Sequence, residues 1–244
     1  MDLHGKTILV TGAARRLGRA IAVELASSGA AILVHHHASP SDAEATCETI
    51  RRLGAAAHPV QADVGAAGGI DFLFEQVDRH GPLHGLVNSA AVMLAGDLLT
   101  VSEADWHSTI DVNLKGAFFV LQQAAQRIRR SGGGAVVNVA DIAGLRPWPR
   151  FPVHSISKAG LLSLTQVAAL ALAPDIRVNA VVPGPVLKPD RISAARWEAL
   201  GLQLPMQRTG TPDDVARAVC FLMENDFITG EALLVDGGNQ FAPA

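Results

Sequence analysis

Short apolar runs alternate with longer stretches of helical periodicity along the whole chain. The runs of strand length are apolar on both faces, and there are seven of them. They are Thr7–Val10, Ala31–His35, His58–Gln61, Gly85–Asn88, Gly134–Val139, Ile176–Val182 and Ala232–Val235. A strand that is apolar on both faces must be covered on both, and helices that alternate with strands can do this. The pattern predicts an α/β fold with a doubly wound, seven-stranded parallel sheet and helices on both of its faces.

The segments between the strands place apolar residues at helical spacing. The predicted helices are Leu17–Ser28, Ser39 to about Leu53, Ile70–His80, Glu103–Ile110, Val112–Arg129, Ser155–Ala173 and Pro212–Glu224. No repeat, low-complexity tract or linker interrupts the alternation. Residues 1–244 are therefore predicted to form a single domain.

Two of the predicted helices, Val112–Arg129 and Ser155–Ala173, are apolar or small on most of their circumference. One face of a sheet cannot cover so much apolar surface, and a helix that is apolar all round is buried all round. Either the monomer has a thick helix layer, or the two helices form an interface with another subunit. We favour the interface, which predicts a homo-oligomer, either a tetramer or a dimer.

A glycine-containing turn, Thr11–Gly18 (TGAARRLG), joins the first strand to the first helix. Glycine allows tight backbone geometry there and lets a phosphate approach the amides that open the helix. The spacing differs from the common GxGxxG fingerprint, because Gly12 and Gly18 flank a segment that carries Arg15 and Arg16. A dinucleotide is the predicted ligand, and an ordinary helix-opening turn is the alternative.

The end of the second strand indicates which dinucleotide would bind. An acidic residue at this place would bind the adenosine ribose of NAD, but the segment here is HHHAS, His35–Ser39. The first carboxylate, Asp42, lies inside the next helix. With Arg15 and Arg16 nearby, the segment favours the additional phosphate of NADP. Adjacent histidines on a strand point to opposite faces, and no further ligand pattern accompanies them, so no metal site is predicted.

Composition narrows the partners and the compartment. The net charge of −3 and the lack of a long basic tract argue against nucleic acid. No run approaches the roughly 18 apolar residues that a membrane span needs, and the N-terminal apolar run is too short for a secretory signal. Two distant cysteines, Cys47 and Cys220, form no disulfide framework. We expect a soluble, cytoplasmic protein whose partner is a small-molecule substrate.

Ordered landmarks over essentially the whole chain resemble the short-chain dehydrogenase/reductase family. They are Thr11–Gly18, Ala62–Val64, Asn88–Ala91, Asn113, Lys158, Pro183–Gly184 and Val235–Gly238. Within the family, Arg16 in place of the second turn glycine, the HHHAS segment and Asp141 in place of the usual serine resemble the pteridine reductases.

The resemblance implies a Rossmann-type single domain and a set of NADP-binding positions. These are Gly12, Arg15, Arg16, Leu17, His37, Ser39, Asp63, Val64, Asn88, Ala90, Lys158, Pro183 and Gly184. It also implies a substrate lid at Leu187–Leu204, in which Lys188 replaces the usual threonine.

The family's catalytic set is a serine, a tyrosine, a lysine and a helix asparagine. The resemblance places the asparagine at Asn113, the lysine at Lys158 and the serine position at Asp141. His154 occupies the tyrosine position, and the chain contains no tyrosine at all. In the family the lysine holds the nicotinamide ribose and lowers the pKa of the tyrosine.

Three hypotheses for the proton donor stay open. His154 transfers the proton itself, or Asp141 supplies it while His154 lines the site, or catalysis is lost. The first two predict an NADP(H)-dependent oxidoreductase that transfers hydride to a pterin-like or small carbonyl substrate. The third predicts an NADP-binding scaffold or sensor of the same fold.

The resemblance to pteridine reductases also implies an aromatic residue that stacks on the pterin. Met93 stands at that position, so the wall would come from another part of the chain. Trp148, Phe151 and Trp197 are the candidates, and ordinary hydrophobic contacts of a loop and a lid are the alternative.

Overall fold

The computed structural model describes residues 1–241, in which seven strands form one parallel sheet. The strands are β1 (Thr7–Val10), β2 (Ala31–His36), β3 (Ala57–Gln61), β4 (Gly85–Asn88), β5 (Gly134–Val139), β6 (Ile176–Pro183) and β7 (Ala232–Val235). Their order across the sheet is β3-β2-β1-β4-β5-β6-β7, and every neighbouring pair is parallel. The predicted doubly wound sheet is confirmed.

Helices cover both faces of this sheet. They are α1 (Arg16–Ser27), α2 (Pro40–Arg52), α3 (Gly69–Val77), α4 (Glu103–Ile110), α5 (Ala117–Arg130), α6 (Pro152–Leu172), α7 (Ala194–Gln203) and α8 (Pro212–Glu224). Buried side chains of α1, α2 and α8 form one core, and those of α3, α5 and α6 form the core on the opposite face. The strands supply both cores because alternate residues, such as Val10 and Leu9, point to opposite faces.

The structure joins two helices that the sequence pattern separates. A single π-helical segment, Asp111–Gly116, connects α4 to α5 without a break. It contains Asn113, which the periodicity assigned to an ordinary helix. A π-turn adds a residue to the helix and rotates the side chains beyond it, and such turns are frequent at functional sites. A helical period cannot reveal one extra residue.

Helix α6 begins three residues before the predicted start at Ser155. Pro152 occupies its first turn, where a proline's fixed φ fits the helix and its missing N–H costs nothing. His154 therefore lies inside the helix rather than in the loop before it. By length and composition alone α6 could cross a membrane. It instead belongs to the core of this domain, because Leu161, Leu164 and Ala168 are buried.

His35 ties the end of β2 to two neighbouring loops. Its Nδ1 accepts a hydrogen bond of 3.1 Å from the Gly12 amide, and its Nε2 lies 3.2 Å from the Ala62 carbonyl oxygen. An amide can only donate and a carbonyl can only accept, so the ring is neutral with its proton on Nε2. Burial lowers the pKa of His35 to about 4.

This burial predicts a loss of stability in acid. Between the ordinary histidine pKa and about 4, the unfolded chain binds a proton at position 35 that the folded chain does not. The free energy of unfolding therefore falls as the pH decreases through this window. In urea unfolding, the advantage of the wild type over His35→Gln should shrink by about 2 kcal/mol from pH 7 to pH 4.5.

The exposed histidine His4 supplies the control, because His4→Gln should leave the pH dependence of unfolding unchanged. An advantage over His35→Gln that stays constant across the same pH range would contradict the assignment.

Candidate functional site

The carboxyl ends of the strands open onto one cleft of about 970 Å³. It lies where the order of the strands reverses, between β1 and β4, which is the usual ligand site of an open α/β sheet. Most of the site residues expected from the sequence line it. These are Gly12, Arg15, Arg16, Leu17, Ala90, Asp141, His154, Lys158, Pro183 and Gly184.

Two loops approach each other closely at the floor of this cleft. The Thr11 hydroxyl accepts hydrogen bonds from the amides of Ser89 and Ala90, at 2.9 and 3.0 Å. Gly12 has a φ of +65°, and a β-carbon there would lie 2.9 Å from the Ala90 Cα. Only glycine fits this position, because both the backbone conformation and the space exclude a side chain.

The opening of α1 is suited to a phosphate group. Its first turn contains no acidic residue, and no side chain among residues 1–241 caps its amides. These amides, together with the helix dipole, attract an anion. Arg16 has a φ of +53°, in the left-handed region that glycine adopts most easily. The residues present therefore fit a dinucleotide phosphate.

The two arginines of the turn differ in their surroundings. Arg15 Nε lies 3.6 Å from a carboxylate oxygen of Asp42, in a solvent-exposed pair. No carboxylate in the described part of the chain pairs with Arg16. Exposed ion pairs of this kind contribute little energy, so Asp42 would compete only weakly with a phosphate.

The residues at the ends of β2 and β3 lie outside the lining of the cleft. His37 Nε2 is 3.7 Å from a carboxylate oxygen of Asp63, and both side chains are exposed. Ser39 precedes α2, and Val64 is buried in the core. The Asn88 amide donates to the Ala117 carbonyl and to Asn138 Oδ1, at 3.1 and 3.0 Å. The side chains of Val64 and Asn88 are therefore buried and stabilise the fold, and cofactor binding by these two residues stays a prediction.

The histidines of the HHHAS segment do not form a metal-binding cluster. His35 and His36 are buried, whereas His37 is exposed. Within residues 1–241, no three His, Cys, Asp or Glu side chains converge in a way that could hold an ion.

Lys158 is buried at the inner end of the cleft. Its ammonium donates a hydrogen bond of 2.7 Å to the Val139 carbonyl, which ends β5. Burial lowers the pKa of Lys158 to about 8, and the charge of Asp141 opposes that shift. The ammonium therefore lies close to the point at which it loses its proton at physiological pH.

His154 and Asp141 face each other beside Lys158. His154 lies one helical turn before Lys158 in α6. His154 Nε2 lies 3.8 Å from Asp141 Oδ2, and the imidazole is 4% exposed. Among the described residues this Nε2 has no hydrogen-bond partner. The other carboxylate oxygen of Asp141 accepts a bond of 2.7 Å from the Ala143 amide, which fixes the carboxyl group. A buried polar atom without a partner is costly, and a catalytic role is one of the explanations for such an atom.

Asn113 lies behind the cleft rather than in its wall. Its amide accepts from the Val92 N–H at 2.8 Å and donates to the Val92 carbonyl at 2.9 Å. It also donates to Ser157 Oγ at 3.1 Å. The side chain therefore holds the loop that follows β4 against α6.

Three aromatic side chains that the sequence offered as candidates for a stacking wall line the cleft. They are Trp148, Phe151 and Trp197, with Met93 beside them. The predicted lid contains α7, and the Arg191 guanidinium lies 5.3 Å from the centre of the Phe151 ring. Lys188 donates to the Ile192 carbonyl at 2.9 Å and so bonds within the lid itself.

Four contributors to the site were missed in the sequence. Thr11 and His35 act through side-chain hydrogen bonds that join the glycine turn to its neighbouring loops. Val92 acts through its main chain, which no sequence pattern reports. Arg146 donates to the carbonyls of Asn239 and Gln240 and so fastens the C-terminal segment beside the cleft. A threonine before the first glycine was the only one of these signals visible in the sequence.

Comparisons with known proteins agree with this architecture. A family profile described as enoyl-(acyl carrier protein) reductase matches residues 12–240. FabG of Staphylococcus aureus, a 3-oxoacyl-acyl-carrier-protein reductase, is 36% identical over 239 residues, which are 96% of this chain and 97% of that protein. An L-rhamnose 1-dehydrogenase (NAD(P)(+)) of Azotobacter vinelandii is 36% identical and covers 98% of each chain.

A solved structure extends the comparison to a bound cofactor. FolM alternative dihydrofolate reductase 1 from Brucella canis, complexed with NADP, has a TM-score of 0.93. It is 34% identical in sequence, and the alignment covers 100% of this chain and 97% of that one. Because the profile and these relatives span nearly the entire sequence, the chain belongs to the short-chain dehydrogenase/reductase family.

Proposed function

We propose that this protein is an NADP(H)-dependent reductase that transfers hydride to a pterin-like substrate, with a small carbonyl compound as the alternative substrate class. One observation carries the proposal. The cleft that begins at the phosphate-binding turn ends at three ionisable groups, Lys158, Asp141 and His154, in one contiguous lining. Bound NADPH would supply the hydride, and these residues would supply the proton and hold the substrate.

The cofactor preference rests on the charge around the turn. Arg16 is free to pair with an additional phosphate, and no acidic residue stands at the end of β2. Arg15, His37 and Ser39 would complete the contacts around the adenosine ribose. The bound nucleotide in FolM and in the angucycline C-6 ketoreductase LanV is NADP, which supports this preference.

Lys158 and the Asp141–His154 pair divide the remaining work. A protonated Lys158 would bind the nicotinamide ribose and add positive charge to the site. In the absence of any tyrosine, His154 and Asp141 are the ionisable groups placed to exchange a proton with the substrate. We assign proton transfer to this pair, in which His154 Nε2 lies 3.8 Å from Asp141 Oδ2.

The preference for a pterin-like substrate rests on the walls of the cleft. Trp148 and Trp197 are partly exposed and offer flat apolar surfaces on which a fused ring can stack, whereas Phe151 is buried. The Asp141 carboxyl can accept hydrogen bonds from ring N–H and amino groups. FolM, an alternative dihydrofolate reductase, supports this substrate class, whereas FabG and LanV support a carbonyl substrate.

The second candidate function is an NADP-binding scaffold without turnover, and the missing tyrosine favours it. The two functions differ in one measurement. NADPH oxidation is followed with dihydrobiopterin, dihydrofolate and a series of small activated ketones. Turnover supports the reductase, whereas tight NADPH binding with no turnover supports the scaffold.

The soluble fold leads us to propose the cytoplasm as its compartment.

The proton-donor pair predicts the effects of two substitutions. His154→Ala and Asp141→Asn should each lower kcat about 100-fold, the usual contribution of a positioned acid or base. NADPH affinity should stay unchanged, because neither side chain is assigned to the cofactor. His154→Tyr should retain turnover, since it restores a phenol.

The exposed histidine His58 supplies the control, and His58→Ala should leave kcat unchanged. If His154→Ala keeps full activity while Asp141→Asn loses it, Asp141 alone is the donor and the pair is rejected.

Arg16 predicts the cofactor selectivity. Replacement of Arg16 by alanine or glycine removes a charge-assisted bond to the additional phosphate of NADPH. NADPH binding should weaken about 10-fold or more, and NADH binding should change little. Fluorescence titration of Arg16→Ala and Arg16→Gly measures both affinities. The glycine variant should be more stable than the alanine variant by about 1 kcal/mol, because alanine keeps a strained left-handed residue. An equal loss of affinity for both nucleotides would contradict the role of Arg16.

The outer face of α5 and α6 carries the proposed subunit contact. Its exposed apolar side chains include Phe118, Phe119, Val167 and Leu170, the last 85% exposed. They border an apolar groove at which a β-carbon on Gly160 would lie 2.7 Å from Leu114 Cδ2, so the helices pack closely there. A second copy of this chain could cover the groove.

The subunit contact predicts a change of mass. Leu170→Glu places a charge on this face and should convert a dimer or tetramer into a monomer in size-exclusion chromatography with light scattering. Leu53→Glu, at the end of α2, is the matched control and should leave the mass unchanged. A wild-type protein that is already monomeric would overturn the proposed contact.

A further inference from the structure

One main-chain group, the carbonyl of Val92, receives hydrogen bonds from two directions. Asn113 Nδ2 donates to this oxygen at 2.9 Å, and His154 Nδ1 lies 3.3 Å from it. The side-chain oxygen of Asn113, Oδ1, also accepts a hydrogen bond of 2.8 Å from the Val92 N–H. One side chain therefore holds both main-chain polar groups of Val92. The loop residue therefore has a fixed position beside the imidazole.

The carbonyl determines which ring nitrogen of His154 carries the proton. A carbonyl oxygen only accepts, so a hydrogen bond to it requires a proton on Nδ1. In the neutral ring Nε2 is then a bare acceptor, which is the reverse of the arrangement in His35. Nε2 is also the buried atom without a partner, and it points towards Asp141.

We infer that Asn113, acting through the Val92 carbonyl, keeps the His154 proton on Nδ1 and so makes Nε2 the atom that exchanges a proton with the substrate. This inference rests on the proposed reductase function. Asn113 is then a positioning residue, because it acts through Val92 and His154. Histidine in water favours the other tautomer, with its proton on Nε2, so the protein has to impose this one.

The proton can be followed atom by atom. Before the reaction His154 is an imidazolium, with Nδ1–H bound to Val92 and Nε2–H directed to the substrate and to the Asp141 carboxylate. Bound NADPH would supply hydride to the substrate carbon, and the Nε2–H bond would break as its proton goes to the substrate nitrogen or oxygen. His154 is left neutral with Nδ1–H in place. Asp141, which is one-quarter exposed, can then pass a proton from solvent back to Nε2.

Two further contacts support the geometry of the imidazole. Ser157 Oγ donates to the His154 carbonyl at 2.7 Å and accepts from Asn113 at 3.1 Å. Both bonds lie on the side of α6 that faces the π-helical segment. Removing Ser157 would leave the Asn113 contacts with Val92 intact, so it provides a matched control for Asn113.

The tautomer can be measured directly on the complete chain. Long-range ¹H–¹⁵N correlation spectra of the protein saturated with NADP⁺ report which imidazole nitrogen is protonated. The chain has nine histidines, and the signals of His154 are those that disappear in His154→Gln. In the neutral ring of His154 we expect a protonated Nδ1 and a bare Nε2. A neutral ring with its proton on Nε2 would overturn the inference, whether or not the enzyme turns over.

Substitution of Asn113 tests the positioning role. Asn113→Ala should shift His154 towards the Nε2–H tautomer and lower kcat about 10-fold or more while KM changes little. Ser157→Ala should keep the wild-type tautomer. An Asn113→Ala protein that keeps the Nδ1–H tautomer would reject the role of Asn113.

The spectrum of the unaltered protein decides the tautomer even if Asn113→Ala fails to fold. Absence of NADPH oxidation with every substrate would reject the proposed function, yet it would leave the tautomer measurable. The two failures are therefore distinguishable.

Discussion

The close approach of the loops that follow β1 and β4 is the constraint on which the rest of the site depends. The Thr11 hydroxyl binds two successive amides of the β4 loop, and Gly12 leaves no room for a β-carbon against Ala90. The chain runs from β1 to its neighbour on one side of the sheet and from β4 to its neighbour on the other side. A crevice therefore opens between the two connections, above these strands. The ionisable groups of the proposed chemistry, Lys158, Asp141 and His154, all line this crevice.

The sheet and the glycine turn at the start of α1 could be predicted from the sequence because they depend on local signals. The strand periodicity, the glycine turn and the absence of an acidic residue at the end of β2 can each be seen within a few residues of sequence. The position of Asn113 could not be predicted, since its π-turn differs from an α-helix by one residue. The function of Val92 also escaped prediction, because any residue type supplies the same carbonyl. The sequence pattern also did not indicate that the side chains of Asn88 and Val64 are buried by their neighbours in the core.

Energetically, the inner end of the cleft is unfavourable in the free protein. The ammonium of Lys158 is buried with a hydrogen bond to the Val139 carbonyl, whereas His154 Nε2 is buried with no partner among the described residues. An unsatisfied buried group such as this nitrogen costs roughly 1–3 kcal/mol. The core on both faces of the sheet has to offset that cost. Substrate and cofactor could recover part of it, because their polar atoms would complete the missing contacts. Stored instability of this kind is typical of functional sites rather than of structural ones.

The π-turn at Asp111–Gly116 limits how this chain can change in length. Each α-helical residue turns the helix by about 100°, so deletion of one residue would restore regular α-helix and rotate α4 relative to α5. Asn113 would then leave Val92, and Leu114 would leave its packing position against Gly160. A change of length between α4 and α5 is thus expected to alter the loop beside His154 and the apolar groove on the outer face at the same time.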